Sequence, residues 1–152
     1  MIRAVNHEFF MREALVEAER ARDSREVPIG AVVVVGGEIV GRGFNQPIGS
    51  SDPTAHAEIV AIRGAARHVG NYRLADSSLY VTIEPCLMCV GALVHARIDT
   101  LIYGCAEPKS GAVVSTVAGG ELPGLNHRFA VVSNVLAEEC RALVQSFFKE
   151  RR

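Results

Sequence analysis

The 152 residues carry 16 basic and 17 acidic side chains, a net charge of −1, and 49% hydrophobic residues. That balance fits one globular domain over residues 1–152, and it excludes a disordered chain or a strong global field for nucleic acid. Apolar runs such as Ala31–Val35 are far too short to span a bilayer, so no membrane partner is expected. Residues 1–8 lack the apolar core of an export signal, and four cysteines without one point to the reducing cytoplasm rather than a disulfide framework. Of the 16 basic residues only Lys109 and Lys149 are lysine. Arginine suits phosphate and stacked bases better than lysine does, and a GC-rich genome explains the same bias equally well.

Residues 7–23 have the period of an amphipathic helix, with Phe10, Ala14, Ala18 and Ala21 recurring on one face. A loop at 23–28 leads to the β-branched run Ala31–Val35, a buried strand, and Gly36-Gly37 turns the chain into a returning strand, Glu38–Phe44. Residues 45–53 are a polar loop. Pro53 suits a first helical turn capped by Asp52 or Thr54, which predicts a helix from there to about His68. Ser78–Ile83 alternates as a strand, Cys86 to about His95 is a helix, and Thr100–Cys105 is another strand. Residues 107–129 have no clear period, and a long irregular segment in a compact domain is usually functional. A short strand at Val131–Ser133 and a helix over Ala137–Arg152 complete the chain. Strands joined by a hairpin first and by helices later indicate a layered α/β fold with a mixed sheet.

The chemistry concentrates in Asp52-Pro53-Thr54-Ala55-His56-Ala57-Glu58 and Glu84-Pro85-Cys86-Leu87-Met88-Cys89. His56, Cys86 and Cys89 are an imidazole and two thiols, a donor set for one tetrahedral Zn2+ per subunit with a fourth position left open. Cys86 and Cys89 sit three apart at a helix start, where the dipole favours thiolates. His56 and Glu58 lie about 200° apart around a helix, so one site can use both only off a helix end. The metal is therefore expected between two helix N-termini. The pair of stretches fits the H-x-E…P-C-x-x-C signature of zinc nucleobase deaminases. In that chemistry a zinc-activated hydroxide attacks an amidine carbon, and Glu58 shuttles protons to the base and to the leaving amine.

Beyond this core the chain resembles the bacterial tRNA-specific adenosine deaminases over nearly its whole length. The likeness runs through Arg25–Val32, Asn45–Gly49, Asp52–Ile59, Asn71–Leu74, Leu79–Cys86, Lys109–Ala112, Asn126–Arg128 and Phe147–Arg152. It implies a three-layer α/β/α cytidine-deaminase-like fold with a five-stranded mixed sheet. It also implies a homodimer whose subunits share active sites, and deamination of adenosine to inosine at the wobble position (34) of a tRNA anticodon loop. By the same resemblance Asn45 would bond the purine, and the Ala57 N–H would contact the oxygen that forms at the reacting carbon. Glu107, Lys109, Asn126, His127, Arg128, Phe148 and Arg151 would meet the anticodon loop. Glu107 stands where the family usually has aspartate, and Cys105 replaces a usual alanine beside it, where it would narrow the pocket wall.

Other readings use the same residues. Cys86-x-x-Cys89 is also the spacing of a redox pair, and a structural zinc would take Cys105 or His127 as fourth ligand. The same core serves small-molecule guanine, cytosine or cytidine deaminases, and a zinc-stabilised interaction module would use it without catalysis. His7, His68 and His95 read as surface or satisfied residues, and Cys105 and Cys140 as small buried hydrophobes.

Overall fold

The computed structural model describes residues 6–151. Its elements are α1 (His7–Asp23), β1 (Gly30–Val35), β2 (Glu38–Phe44), α2 (Pro47–Ser50), α3 (Ala57–Val69), β3 (Ser77–Ile83), α4 (Leu87–Ala96), β4 (Thr100–Cys105), β5 (Ala130–Val132) and α5 (Ala137–Glu150). The strands form one five-stranded sheet in the order β2-β1-β3-β4-β5. β1 pairs antiparallel with β2 and β3, while β3–β4 and β4–β5 are parallel, so the sheet is mixed.

Alternation along the strands sends successive side chains to opposite faces. On one face Ala31, Val33, Leu79, Val81 and Leu101 pack against Ala57, Ala61 and Ala65 of α3 and Val90 and Leu93 of α4. On the other, Val32, Val34, Tyr80 and Ile102 pack against Met11 and Ala14 of α1 and Cys140 of α5. Helices therefore cover both faces, giving the three-layer α/β/α architecture expected. Gly36 and Gly37 have φ of 60° and 79°, the positive values that a tight hairpin between twisted strands requires.

Some boundaries differ from the sequence reading. The helix expected from Pro53 begins at Ala57. Asp52 spends its carboxylate on the Thr54 N–H and hydroxyl, and the Ala55 N–H bonds the Asp52 carbonyl, so these residues close a separate turn. The polar loop at 45–53 contains the short helix α2. Cys86 is the N-cap of α4 rather than its first residue. Arg152, the expected end of α5, and residues 1–5 of the leader reading lie outside the described residues. No helix among the described residues is long and apolar enough to cross a membrane.

The helix that carries Glu58 lies almost in contact with β2. A Cβ at Gly43 would stand 2.4 Å from the Ala57 carbonyl oxygen and 2.6 Å from the Ala61 nitrogen, both backbone atoms. Gly43→Ala is therefore expected to lower stability by about 1–3 kcal/mol in urea unfolding. Gly91→Ala, whose Cβ meets nothing within 4 Å in α4, is expected to raise stability by about 0.5–1 kcal/mol.

Candidate active site

The register gathers several chain segments at one end of the sheet. Gly30 pairs with Phe44, and Ile83 with Cys105, so the start of β1 and the ends of β2, β3 and β4 lie side by side. Open α/β sheets bind ligands beyond the carboxyl ends of their strands. Here those ends deliver Asn45, Glu84, Cys86 and Glu107 to one cavity of about 260 Å3, together with His56, Glu58, Ser110 and Phe148. Val27, Ile29, Ile83 and Val144 supply its apolar wall.

His56 is the N-cap of α3 and Cys86 the N-cap of α4, both in extended backbone conformation. Two helix N-termini, each with unpaired N–H groups and a positive dipole end, thus face one point. His56 Nδ1 lies 3.5 Å from Cys86 Sγ and 3.6 Å from Cys89 Sγ. Zinc bonds of about 2.3 Å to sulfur and 2.0 Å to nitrogen, at a tetrahedral angle, separate such atoms by about 3.5 Å. All three ligand atoms lie within 4.8 Å of one another, and among the described residues this is the grouping of His, Cys, Asp or Glu close enough to hold an ion. The donor set fits zinc. His127 Nε2 is instead paired with the Ile98 carbonyl at 2.7 Å, and Cys105 Sγ with the Thr82 carbonyl, so neither supplies the fourth ligand of a structural site.

The charges are arranged for the same purpose. A hydrogen bond from Cys89 holds the Cys86 thiol down at about 4 against its burial, with the His56 contact acting in the same direction. The hydrogen bond with Cys86, burial and the nearby Glu58 charge push Cys89 up. His56 is raised, first by its contact with Cys86. Glu58 is only 3% exposed. Burial raises its carboxyl above the usual range, its own backbone N–H opposes that, and the Cys86 charge adds to it. A carboxyl raised in this way is better suited both to take and to return a proton than an ordinary one.

Residues 4–105 match the family described as the cytidine and deoxycytidylate deaminase zinc-binding region. The chain is 46% identical over 152 residues to the tRNA-specific adenosine deaminase of Haemophilus influenzae, covering 99% of this chain and 88% of that one. A solved structure of a tRNA:A34 deaminase, studied for A-to-I editing at the wobble position, superposes with a TM-score of 0.87 at 44% identity over 89% of this chain and 98% of that one. The guanine deaminase of Bacillus subtilis superposes with a TM-score of 0.64 at 33% identity, over 95% of each chain. The chain belongs to the tRNA-specific adenosine deaminase family.

The residues that likeness to tRNA-specific adenosine deaminases singles out fall into three places. Asn45, Glu107 and Phe148 line the cavity, and the Ala57 N–H is the first of α3, without a partner in its own helix. Lys109 is exposed beside them, its N–H donating to Glu107 Oε1 at 2.9 Å. Arg151 lies outside the cavity, with its guanidinium over the Phe147 ring and donating to the Arg25 carbonyl. Asn126, His127 and Arg128 are elsewhere. Asn126 accepts from Arg97 and His127 bonds Ile98, both just past the C-terminus of α4, and Arg128 donates to Gly120 and Glu121. The ten-residue α4 puts that end about 15 Å from Cys86. Cys105, expected beside the pocket, instead faces the α1–α5 side. It lines a neighbouring hollow with Arg141 and Gln145 because its position in β4 directs it to that face.

The sequence reading assigned no part to Glu84. Its carboxylate is 2% exposed and lines the cavity. Burial pushes it up, but hydrogen bonds from the Ser115 hydroxyl and from the N–H groups of Val114, Ser115 and Glu107 outweigh that and hold it at about 2. An acid closing a buried β-branched strand was the available signal.

Because a ligand set must shed protons before it binds a metal, the metal-free protein is expected to release protons on taking up zinc. With Cys86 held down at about 4 and Cys89 pushed up, the Cys89 thiol is the main source. An indicator titration in weak buffer measures the release. Elemental analysis of Cys89→Ala should then find the ion lost, and full zinc content in that variant would overturn the assignment.

Proposed function

We propose that this single-domain chain deaminates adenosine to inosine at the wobble position (34) of tRNA, as a cytoplasmic homodimer. The observation that carries the reading is the buried Glu58 carboxylate beside the His56, Cys86 and Cys89 donor set, at a cavity of about 260 Å3. Identity of 46% to a tRNA-specific adenosine deaminase extends through the flanks and supports the choice of substrate.

A zinc ion held by the three ligands would supply Lewis-acid activation of water at the amidine carbon. Glu58 takes the water proton on its carboxylate, returns it to the ring nitrogen, and passes a second proton to the departing amine. The Asn45 carboxamide fixes the purine edge, and the Ala57 N–H donates to the oxygen forming at the reacting carbon. Base chemistry inside an RNA loop requires the base to be splayed out. Phe148 provides a half-exposed aromatic surface at the mouth for a neighbouring base. Glu107 faces the ribose of the preceding nucleotide. Lys109, Arg151 and, farther off, Asn126, His127 and Arg128 meet the flanks of the anticodon loop, from either copy of the dimer.

A second reading, a small-molecule deaminase, is favoured by the net charge of −1 and by 33% identity to a guanine deaminase. The discriminating experiment supplies the zinc-loaded protein with an anticodon stem-loop bearing a wobble adenosine. Free adenosine, guanine, cytosine and cytidine are offered in parallel, and products are read by mass spectrometry. Inosine at the wobble position alone is expected, with activity falling steeply as salt rises. Glu58→Ala should lower kcat by about 10²–10⁴-fold with zinc and fold retained. Turnover of a free base with an inert stem-loop would replace this reading with the second.

A further inference from the structure

Among the described residues no carboxylate gathers more donors than Glu84. Oε2 accepts the N–H groups of Val113, Val114 and Ser115 at 3.0, 2.9 and 3.0 Å. Oε1 accepts the Glu107 N–H at 3.1 Å and the Ser115 hydroxyl. An ionised carboxylate offers about four lone-pair sites. Five donors from one segment therefore saturate it, and nothing remains for a substrate. The segment also sinks Ala112 and Val113 into the core beside α4, but its polar groups turn toward Glu84. The Ala112 N–H bonds the Pro85 carbonyl next to Glu84, and the Gly111 N–H returns to the Glu107 carbonyl, each at 2.8 Å. A Cβ on Gly111 would stand 2.4 Å from Glu84 Cδ, so the chain wraps directly onto the carboxylate.

We propose that Glu84 is a positioning residue that shapes residues 107–115 into the cavity wall carrying Glu107 and Ser110, and ties that wall to the metal-ligand helix whose N-cap, Cys86, lies two residues later. The sheet end supplies a rigid stem for this carboxylate, since Ile83 is paired with Cys105 in the parallel ladder. The wall's place relative to Cys86 is then fixed through one side chain. This rests on the proposed RNA reading only for what the wall binds.

Glu84→Gln isolates the effect. The three N–H groups on Oε2 cannot turn, so the amide oxygen takes that side. The new NH2 group then faces the Ser115 hydroxyl, which rotates to accept, and the Glu107 N–H, which cannot. Glu107 is released while the turn at 113–115 stays. With zinc content unchanged, KM for the stem-loop is expected to rise about tenfold while kcat falls much less, the pattern of lost binding rather than lost chemistry. Backbone amide exchange should quicken at Glu107 and over 109–112, while the amides of 113–115 stay as slow as in the parent. Ser115→Ala, which keeps the carboxylate, serves where the glutamine variant does not fold, and is expected to raise KM about threefold with quicker exchange in the same segment. Exchange at Glu107 and over 109–112 as slow as in the parent overturns the proposal. So does a fall in kcat and zinc content at unchanged KM, which would assign Glu84 to the metal helix instead. The exchange measurement needs no substrate, so an inert stem-loop overturns the functional reading and leaves this one to be decided separately.

Discussion

The structure depends on two helices starting at the same point. His56 caps α3 and Cys86 caps α4, and their N–H ends converge on one small volume. Alone, each helix end would attract an anion weakly. Together, and shielded from water, they make a thiolate and a neighbouring carboxylate tolerable in a space that otherwise rejects charge. The sheet makes the convergence possible. β3 and β4 are parallel, so the helix between them must return over one face and begin again at the carboxyl end of β3. α3 reaches the same end because β2 runs antiparallel to β1, and alanines and glycines let it lie directly on that strand. The metal ligands are consequently held by the packing of the whole α3–α4 face.

Four buried glutamates show how environment assigns different work to one residue type. Glu17, on α1, is paired with Arg20 and Arg42 and holds helix to sheet. Glu26 accepts the N–H groups of Ile48 and Gly49 and fixes the short helix after Asn45. Glu84 is saturated by the 107–115 segment. Glu58 has neither an arginine nor a ring of foreign N–H groups, and its burial is only partly offset. That difference makes it the group suited to exchange a proton, while the other three are held in place by their partners. Glu26 fixes the segment after Asn45 much as Glu84 fixes residues 107–115, each a carboxylate arriving from a distant part of the chain.

Much of this was legible in the sequence because it depends on local chemistry. The His56 and Cys86–Cys89 spacing, the Gly36-Gly37 hairpin, the β-branched run of β1 and the alternation in β3 each follow from residue type and period. The argument that one site can use both His56 and Glu58 only beyond a helix end foresaw the paired caps. The start of α3 was misread because Asp52-Pro53-Thr54 satisfies the rules for a cap and for a tight turn equally, and only the bonds from Asp52 to Thr54 decide. The 107–129 segment had no legible form, since its folding centre is a carboxylate some twenty-three positions earlier than Glu107. Cys105 is the small buried hydrophobe its residue type suggests, and it packs on the α1–α5 face beside its ladder partner Ile83 rather than narrowing the pocket wall. The proposed contacts to single-stranded RNA leave no period at all, because residues such as Phe148 and Arg151 look in sequence like core and surface.

The shared core and the divergent walls divide the work of specificity. A guanine deaminase at 33% identity has the same overall fold, so the sheet and its two capped helices do not by themselves choose between a free base and a nucleotide in a loop. That choice falls to the surfaces around the mouth: the segment after Asn45, the wall at 107–115, and the last turns of α5. α5 packs on the face opposite α3 and α4, yet Val144 and Phe148 come round the sheet end to line the cavity. Its C-terminal turn also carries Phe147 and Arg151 beside the loop at Arg25, next to the cavity residue Val27. One helix therefore joins the site of chemistry to an arginine-bearing surface outside it. With a net charge of −1 the chain has no global field to draw in RNA. Local placement of these few arginines, rather than total charge, is what can distinguish a phosphate-flanked base from a free one.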